Sequence, residues 1–173
     1  SSLNDYIAAA SGGMSITGGA GADKITGGAG TDTIIILAGD SDFGTISSPA
    51  VAVSVLADII TLAAGDILDL TGALATEADY DTLTEVAAGG TITTTLTTNE
   101  VGQFVGVYDP ATGNFTSSST VASGTGSSTD VDALFYTYAV ADDTDTTATE
   151  GLIIIGLGAQ ADSAILNGVI TFA

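Results

Sequence analysis

Asp23 and Asp32 each close a loop of small residues, and each is followed by a short run with an isoleucine at its centre. The two segments read GGAGADKIT over 18–26 and GGAGTDTII over 27–35. Both fit the pattern G-G-x-G-x-D-x-U-x, where U is a large apolar residue. Glycines let such a loop take backbone conformations closed to residues with a Cβ, which turns main-chain carbonyls toward a common point. The aspartate adds a hard anionic oxygen. Carbonyls and carboxylates at short range suit Ca2+, which takes about 6–8 oxygens.

Stepping along the chain by the same interval, Ile16, Ile25, Ile34 and Phe43 share one position. This predicts successive turns, each with a short strand whose central apolar side chain points inward, stacked into a parallel β-roll with ions between its loops. On these residues the segment resembles the RTX family, the haemolysin-type calcium-binding repeats. The resemblance implies that Asp23 and Asp32 are calcium ligands, together with the carbonyls of Gly18, Gly21, Gly27 and Gly30. The bland alternative, a glycine-rich surface loop with chance aspartates, sits badly with two adjacent copies in register.

The loop from Leu37 to Asp42 departs from the pattern. It keeps one glycine and places Asp40 and Asp42 on either side of Ser41, where the repeat expects its aspartate, so both are taken as further ligands. The first turn has Gly12 and Gly13 but Met14 at the aspartate position, and is expected to cap the stack without binding.

Composition limits the rest. The chain has 173 residues, 45% of them hydrophobic, enough to bury a core as a single domain, with 11–44 as the repeats and 45–173 as a β-rich region packed on them. Acidic residues number 21 against one base, Lys24, for a formal net charge of -20. Such a surface repels nucleic acid and anionic membranes, whose recognition needs Lys and Arg. Its natural counterions are cations, and divalent ions that gather carboxylates would relieve its self-repulsion, so a metal-dependent fold is expected. Few aromatic residues and high charge can mean disorder, but positive mean hydropathy and repeated β-branched runs argue for a folded chain. Cysteine is absent, which excludes disulfides and thiolate sites. No apolar run approaches the ~20 residues of a membrane helix, and Ser1 to Asp5 do not form a signal peptide. Without His or Arg there is no triad catalysis, imidazole zinc site or arginine-lined phosphate cradle. Nor is a glycosidase-type carboxylate pair marked, and the chain is read as no enzyme.

Beyond the repeats, residues 57–72 read ADIITLAAGDILDLTG. This rhythm is similar to the segment that follows the repeats in C-terminal modules of serralysin-like proteases and of RTX-type S-layer proteins. The resemblance implies Asp58 as a ligand that helps close the last calcium loops, with Asp66 and Asp69 as further candidates. The alternative is polar residues at strand ends. Residues 3–10 (LNDYIAAA) are expected to form a short capping helix, and Thr76 to Ala88 a second, opened by Thr76 and an acidic first turn and ended by Gly89-Gly90.

The remainder reads as β. Val51, Val53 and Val55 alternate with small residues, as do the apolar residues of Thr91 to Thr98. Val101 to Tyr108 and Phe115 to Ser123 flank a hairpin loop over Asp109 to Asn114. Asp132 to Val140 is an aromatic strand, Leu152 to Leu157 (LIIIGL) is apolar on both faces as a central strand should be, and the end turns at Asn167-Gly168. Asp142, Asp143 and Asp145, with Glu150 further on, offer another cation cluster, although a solvated acidic turn accounts for them better.

The fold expected is therefore mainly β: a short calcium-binding parallel β-roll continuing into a β-rich sandwich or sheet, with one or two short helices. The function expected is a calcium-stabilised secreted structural protein of the bacterial surface or exterior, self-assembling as a homo-oligomer or polymer into a layer or filament. Cell-surface polysaccharide is a further partner. Uncharged strands lacking proline, namely TITTTLTT, LIIIGL and Ile165 to Ala173, would offer unprotected edges for that assembly. The second reading is a C-terminal calcium-dependent folding and type I secretion module of a larger exported protein.

Overall fold

The computed structural model describes residues 2–42, 57–74, 82–86, 100–117, 131–138, 150–157 and 163–172. The glycine-rich segment holds β1 (Tyr6–Ala8), β2 (Ser15–Ile16), β3 (Lys24–Thr26) and β4 (Thr33–Leu37), followed by β5 (Asp58–Thr61) and β6 (Ile67–Gly72). The residue after each repeat aspartate begins a strand, and the period of two then sends its isoleucine inward.

These strands alternate between two sheets. In one, β1, β3 and β5 are parallel neighbours, aligning Ile7 with Ile25 and Ile25 with Ile60. In the other, β2, β4 and β6 are parallel neighbours, aligning Ile16 with Ile34 and Ile34 with Leu68. Ile16, Ile25 and Ile34 are all buried, in one core cluster that also takes Ile60 and Leu68, so the nine-residue apolar series does face the interior. Phe43 lies outside the described residues. Each buried Ile or Leu contributes ~1.5–3 kcal/mol relative to exposure, so this apolar column binds the coils to one another.

The rest of the chain extends both sheets through β7 (Thr82–Val86), β8 (Glu100–Asp109), β9 (Asn114–Thr116), β10 (Val131–Tyr138), β11 (Glu150–Ile155), β12 (Ser163–Leu166) and β13 (Val169–Phe172). The larger sheet runs β1-β3-β5-β11-β10-β8-β7, with β9 folded back on β8. β11 is parallel to β5 and antiparallel to β10. The smaller sheet runs β12-β13-β6-β4-β2. Between the sheets, Tyr136, Tyr138 and Phe172 join the isoleucine core. Alternation on β8 and β10 sends Phe104 and Phe135 into a second cluster with Phe115 and Ile153, where Phe115 and Phe135 stand 5.5 Å apart. The hairpin over Asp109 to Asn114 forms as expected, its turn held by Asp109, whose carboxylate accepts from Ala111 N and Thr112 Oγ1. Asn167 and Gly168, at φ 50° and 77°, make the tight turn between β12 and β13.

Three expectations need correction. Residues 3–10 form no helix: Tyr6–Ala8 is strand β1, because pairing Tyr6 with Lys24 satisfies its backbone in a parallel ladder and overrides the alanines' helical preference. The second helix fails likewise. Thr82–Val86 is strand β7, paired in parallel with Glu100 to Phe104 of β8, and the rest of that expected helix lies outside the described residues. Among the described residues there is no helix, hence none long and apolar enough to cross a membrane. The third correction concerns LIIIGL, whose strand β11 is no edge: it is paired on both sides, with Leu152, Ile153 and Ile154 buried. TITTTLTT, the Val51–Val55 run and Asp142 to Asp145 lie outside the described residues.

Candidate metal centre

Alternation between sheets puts the aspartates into two files. In one file Asp5 N donates to Asp23 Oδ1 at 2.7 Å, and Asp23 N donates to Asp58 Oδ1 at 2.7 Å. In the other Met14 N donates to Asp32 Oδ1 at 2.9 Å, and Asp32 N donates to Asp66 Oδ1 at 2.8 Å. Each carboxylate thus accepts from the amide that heads the strand of the coil before it. Charge-assisted bonds of this kind are stronger than neutral ones, so the aspartates clamp coil to coil before any ion is considered. Met14 takes a place at the head of the second file with no carboxylate of its own, and its side chain is exposed.

The second carboxylate oxygens differ between files. Asp32 Oδ2 accepts from Gly28 N at 2.7 Å and Asp66 Oδ2 from Ala63 N at 2.8 Å. Asp23 Oδ2 and Asp58 Oδ2 are buried and lack any hydrogen-bond partner. A buried, unpartnered carboxylate oxygen is costly unless a cation completes it.

The glycines show how little room the loops leave. A Cβ on Gly27 would stand 3.2 Å from both Asp32 Oδ2 and Asp66 Oδ2 and 3.3 Å from Thr61 O, so two carboxylates and a carbonyl surround one point. On Gly18 a Cβ would meet Asp23 Oδ2 at 2.3 Å. Gly21 and Gly30 also let the loops approach one another closely. At φ 134° and 113° they press the loop onto the preceding coil, against Leu3 O and against Gly12 and Gly13. This donor set of hard oxygens, with orphaned atoms in one file and a three-oxygen convergence in the other, fits Ca2+. Among the described residues no three carboxylates close on a common metal position by themselves, so main-chain oxygens must supply much of any coordination shell.

A further acidic group lies where the repeat ends. Asp40 is buried and accepts from Leu37 N, while Asp42 is exposed and bridges in antiparallel fashion to Glu150. Ser41, between them, donates from Oγ to Gly151 O at 2.7 Å and accepts from Asp58 N at 2.8 Å. Gly39 N donates to Glu150 Oε1, and Glu150 Oε2 is buried without a partner. Burial pushes Asp58 up to about 8, aided by the like charges of Asp23, Asp40 and Glu150, while its bond from Asp23 N opposes the rise. Burial likewise pushes Glu150 up to about 7, with the bond from Gly39 N and the neighbouring Tyr138 hydroxyl opposing the rise and the like charges of Asp40 and Asp42 adding to it. The buried Tyr138 hydroxyl is raised well above its ordinary value, first by burial and then by Glu150.

Asp23, Asp32 and Asp58 therefore sit in the files, Gly18 and Gly27 beside their carboxylates, Gly21 and Gly30 at loop-to-loop contacts, and Asp40 and Asp42 at the end of the stack. Asp66 is a full member of the second file, whereas Asp69 makes only local bonds to Thr71. The residue that sequence reasoning undervalued is Glu150. It reads as part of a solvated acidic turn, but its carboxylate is buried against the backbone of Gly39, and only the three-dimensional pairing of β11 with β5 reveals this.

Comparison with known families finds the RTX calcium-binding nonapeptide repeat (4 copies), matched over residues 3–34 and 11–41. That repeat family binds Ca2+, and its repeats are typical of proteins secreted by bacteria. The match covers β1 to β4 and the loops that join them. No curated protein matches the chain.

Proposed function

We propose that this chain is a calcium-stabilised structural protein, secreted by a bacterium, whose repeat coils form a short β-roll and whose subunits assemble into an extracellular layer or filament. The convergence of Asp32 Oδ2, Asp66 Oδ2 and Thr61 O around Gly27 carries the calcium reading. Asp23 and Asp32, with carbonyls of the repeat loops, are the proposed ligands, and Asp58 continues the first file. Parallel stacking of β1, β3 and β5 in one sheet and β2, β4 and β6 in the other supports the roll. No catalytic role is proposed.

Assembly is supported by the edges of the two sheets. Among the described residues β1 and β12 are terminal strands, and exposed Tyr6 and Leu166 lie on them, with exposed Leu3 just before β1. Terminal strands of this kind invite pairing with another chain. Repulsion at a formal charge of -20 per subunit opposes such pairing, and bound cations reduce it. Electron microscopy with light scattering tests this: ordered polymers are expected in millimolar-range Ca2+ and dispersed protein in chelator. A monodisperse monomer in both conditions would refute assembly and favour the second reading, a calcium-dependent secretion module of a larger exported protein.

A further inference from the structure

We propose that Asp58 and Glu150 together hold a divalent cation where β11 joins the repeat coils, and that this ion ties the C-terminal strands to the repeat segment. The identity of the ion as Ca2+ rests on the calcium reading above, whereas its place rests on the atoms around it.

β11 stands where a further coil would place its strand. It is parallel to β5, aligning Ile153 with Ile59 and Leu152 with Asp58, just as β5 aligns Ile59 with Lys24 of β3. In this register the repeat's aspartate position falls on Leu152, which cannot ligate. The carboxylate comes instead from Glu150, just upstream on the same strand. Glu150 is only 7% exposed, and Asp58 is 0% exposed.

Both residues use one oxygen to hold backbone and leave the other unpartnered. Asp58 Oδ1 accepts from Asp23 N while Oδ2 has no partner. Glu150 Oε1 accepts from Gly39 N while Oε2 has no partner. The Tyr138 hydroxyl, on the residue directly across the ladder from Glu150, is buried and faces the Glu150 carboxylate. Ser41 locks the two elements at this point through its bonds to Asp58 N and Gly151 O. Asp40, buried as well, acts on both carboxylates only as a like charge.

No protein base is at hand to neutralise these groups. Lys24 is the sole basic residue of the chain, and its ammonium lies 5.9 Å over the exposed Tyr6 ring. Buried carboxylates without a basic partner are stabilised by a metal ion. Hard oxygen donors, two anionic and the rest neutral, select Ca2+ over softer ions.

Calorimetric titration of Ca2+ into the full chain tests this alongside emission from Tb3+, a calcium surrogate excited through a neighbouring tyrosine. Glu150→Gln is expected to bind one ion fewer than wild type while binding at Asp23 and Asp32 persists. Tyr138→Phe is expected to keep the wild-type number of calcium ions but lose the terbium emission of this site. A wild-type ion count in Glu150→Gln, or unchanged emission in Tyr138→Phe, overturns the proposal and leaves the repeat reading intact. A wild-type chain that binds no calcium overturns both. Where Glu150→Gln fails to fold, Tyr138→Phe decides.

Discussion

Replacing Asp66 with alanine tests whether the aspartate files hold the coils together. Asp66 is fully buried, its Oδ1 accepts from Asp32 N and its Oδ2 from Ala63 N, each at 2.8 Å. Alanine leaves the buried Asp32 amide without an acceptor, whereas Ala63 is exposed and its amide can turn to water. An unsatisfied buried donor costs about 1–3 kcal/mol, a sizeable share of the 5–15 kcal/mol typical of a folded domain. For a chain of this length that corresponds to a fall in Tm of roughly 2–12 °C. Asp69→Ala is the internal control. Asp69 sits on the same strand but bonds only to Thr71 N and Thr71 Oγ1 beside it, and its loss should cost about 1 kcal/mol or less. Denaturant titration at fixed calcium reads both. An Asp66→Ala variant within about 0.5 kcal/mol of wild type, the range of an ordinary surface substitution, would refute the file as a structural clamp.

Two further outcomes follow from single groups. Trypsin has one site, after Lys24, whose amide donates to Asp5 O within the β1 to β3 ladder, so calcium-loaded protein should resist cleavage and chelated protein should be cut there; equal rates in both states would disconnect the repeat from calcium. In chelator, stability should fall as pH rises. Asp58, at about 8 against an ordinary 3.8, and Glu150, at about 7 against 4.5, bind protons more tightly in the fold than in the unfolded chain. Their contribution is complete below the ordinary values and lost as pH climbs through the raised ones. Saturating calcium should flatten or invert that slope because it requires ionised carboxylates. Denaturation midpoints at pH 5 and pH 8 measure it, and a chelated protein more stable at pH 8 would contradict the burial of this pair.

The repeat was legible because its signal is local: two copies in register give the loop, the aspartate and the inward isoleucine together. What escaped was set by distant partners. Tyr6–Ala8 looks helical beside its alanines, yet its fate is decided by Lys24 to Thr26. Thr82–Val86 follows a stretch with the acidic opening of a helix, yet β8 claims it as a strand. LIIIGL was legible as a central strand, and for the same reason it cannot serve as the free edge that its lack of charge suggested. The first file breaks its spacing after Asp23, since the next member is Asp58, with an |i−j| of 35 where Asp5 and Asp23 show 18. That longer loop hides the register, and Glu150 is hidden further still, its backbone partner Gly39 lying 111 positions away.

Calcium titration of the wild-type chain against Asp23→Ala and Asp32→Ala addresses the central claim most directly. Each substitution removes an anionic ligand while leaving like charges nearby, so affinity should fall by about tenfold or more, equivalent to at least about 1.4 kcal/mol, with loosening of the strands that the aspartate clamps. Calcium affinity unchanged in both variants would contradict the account.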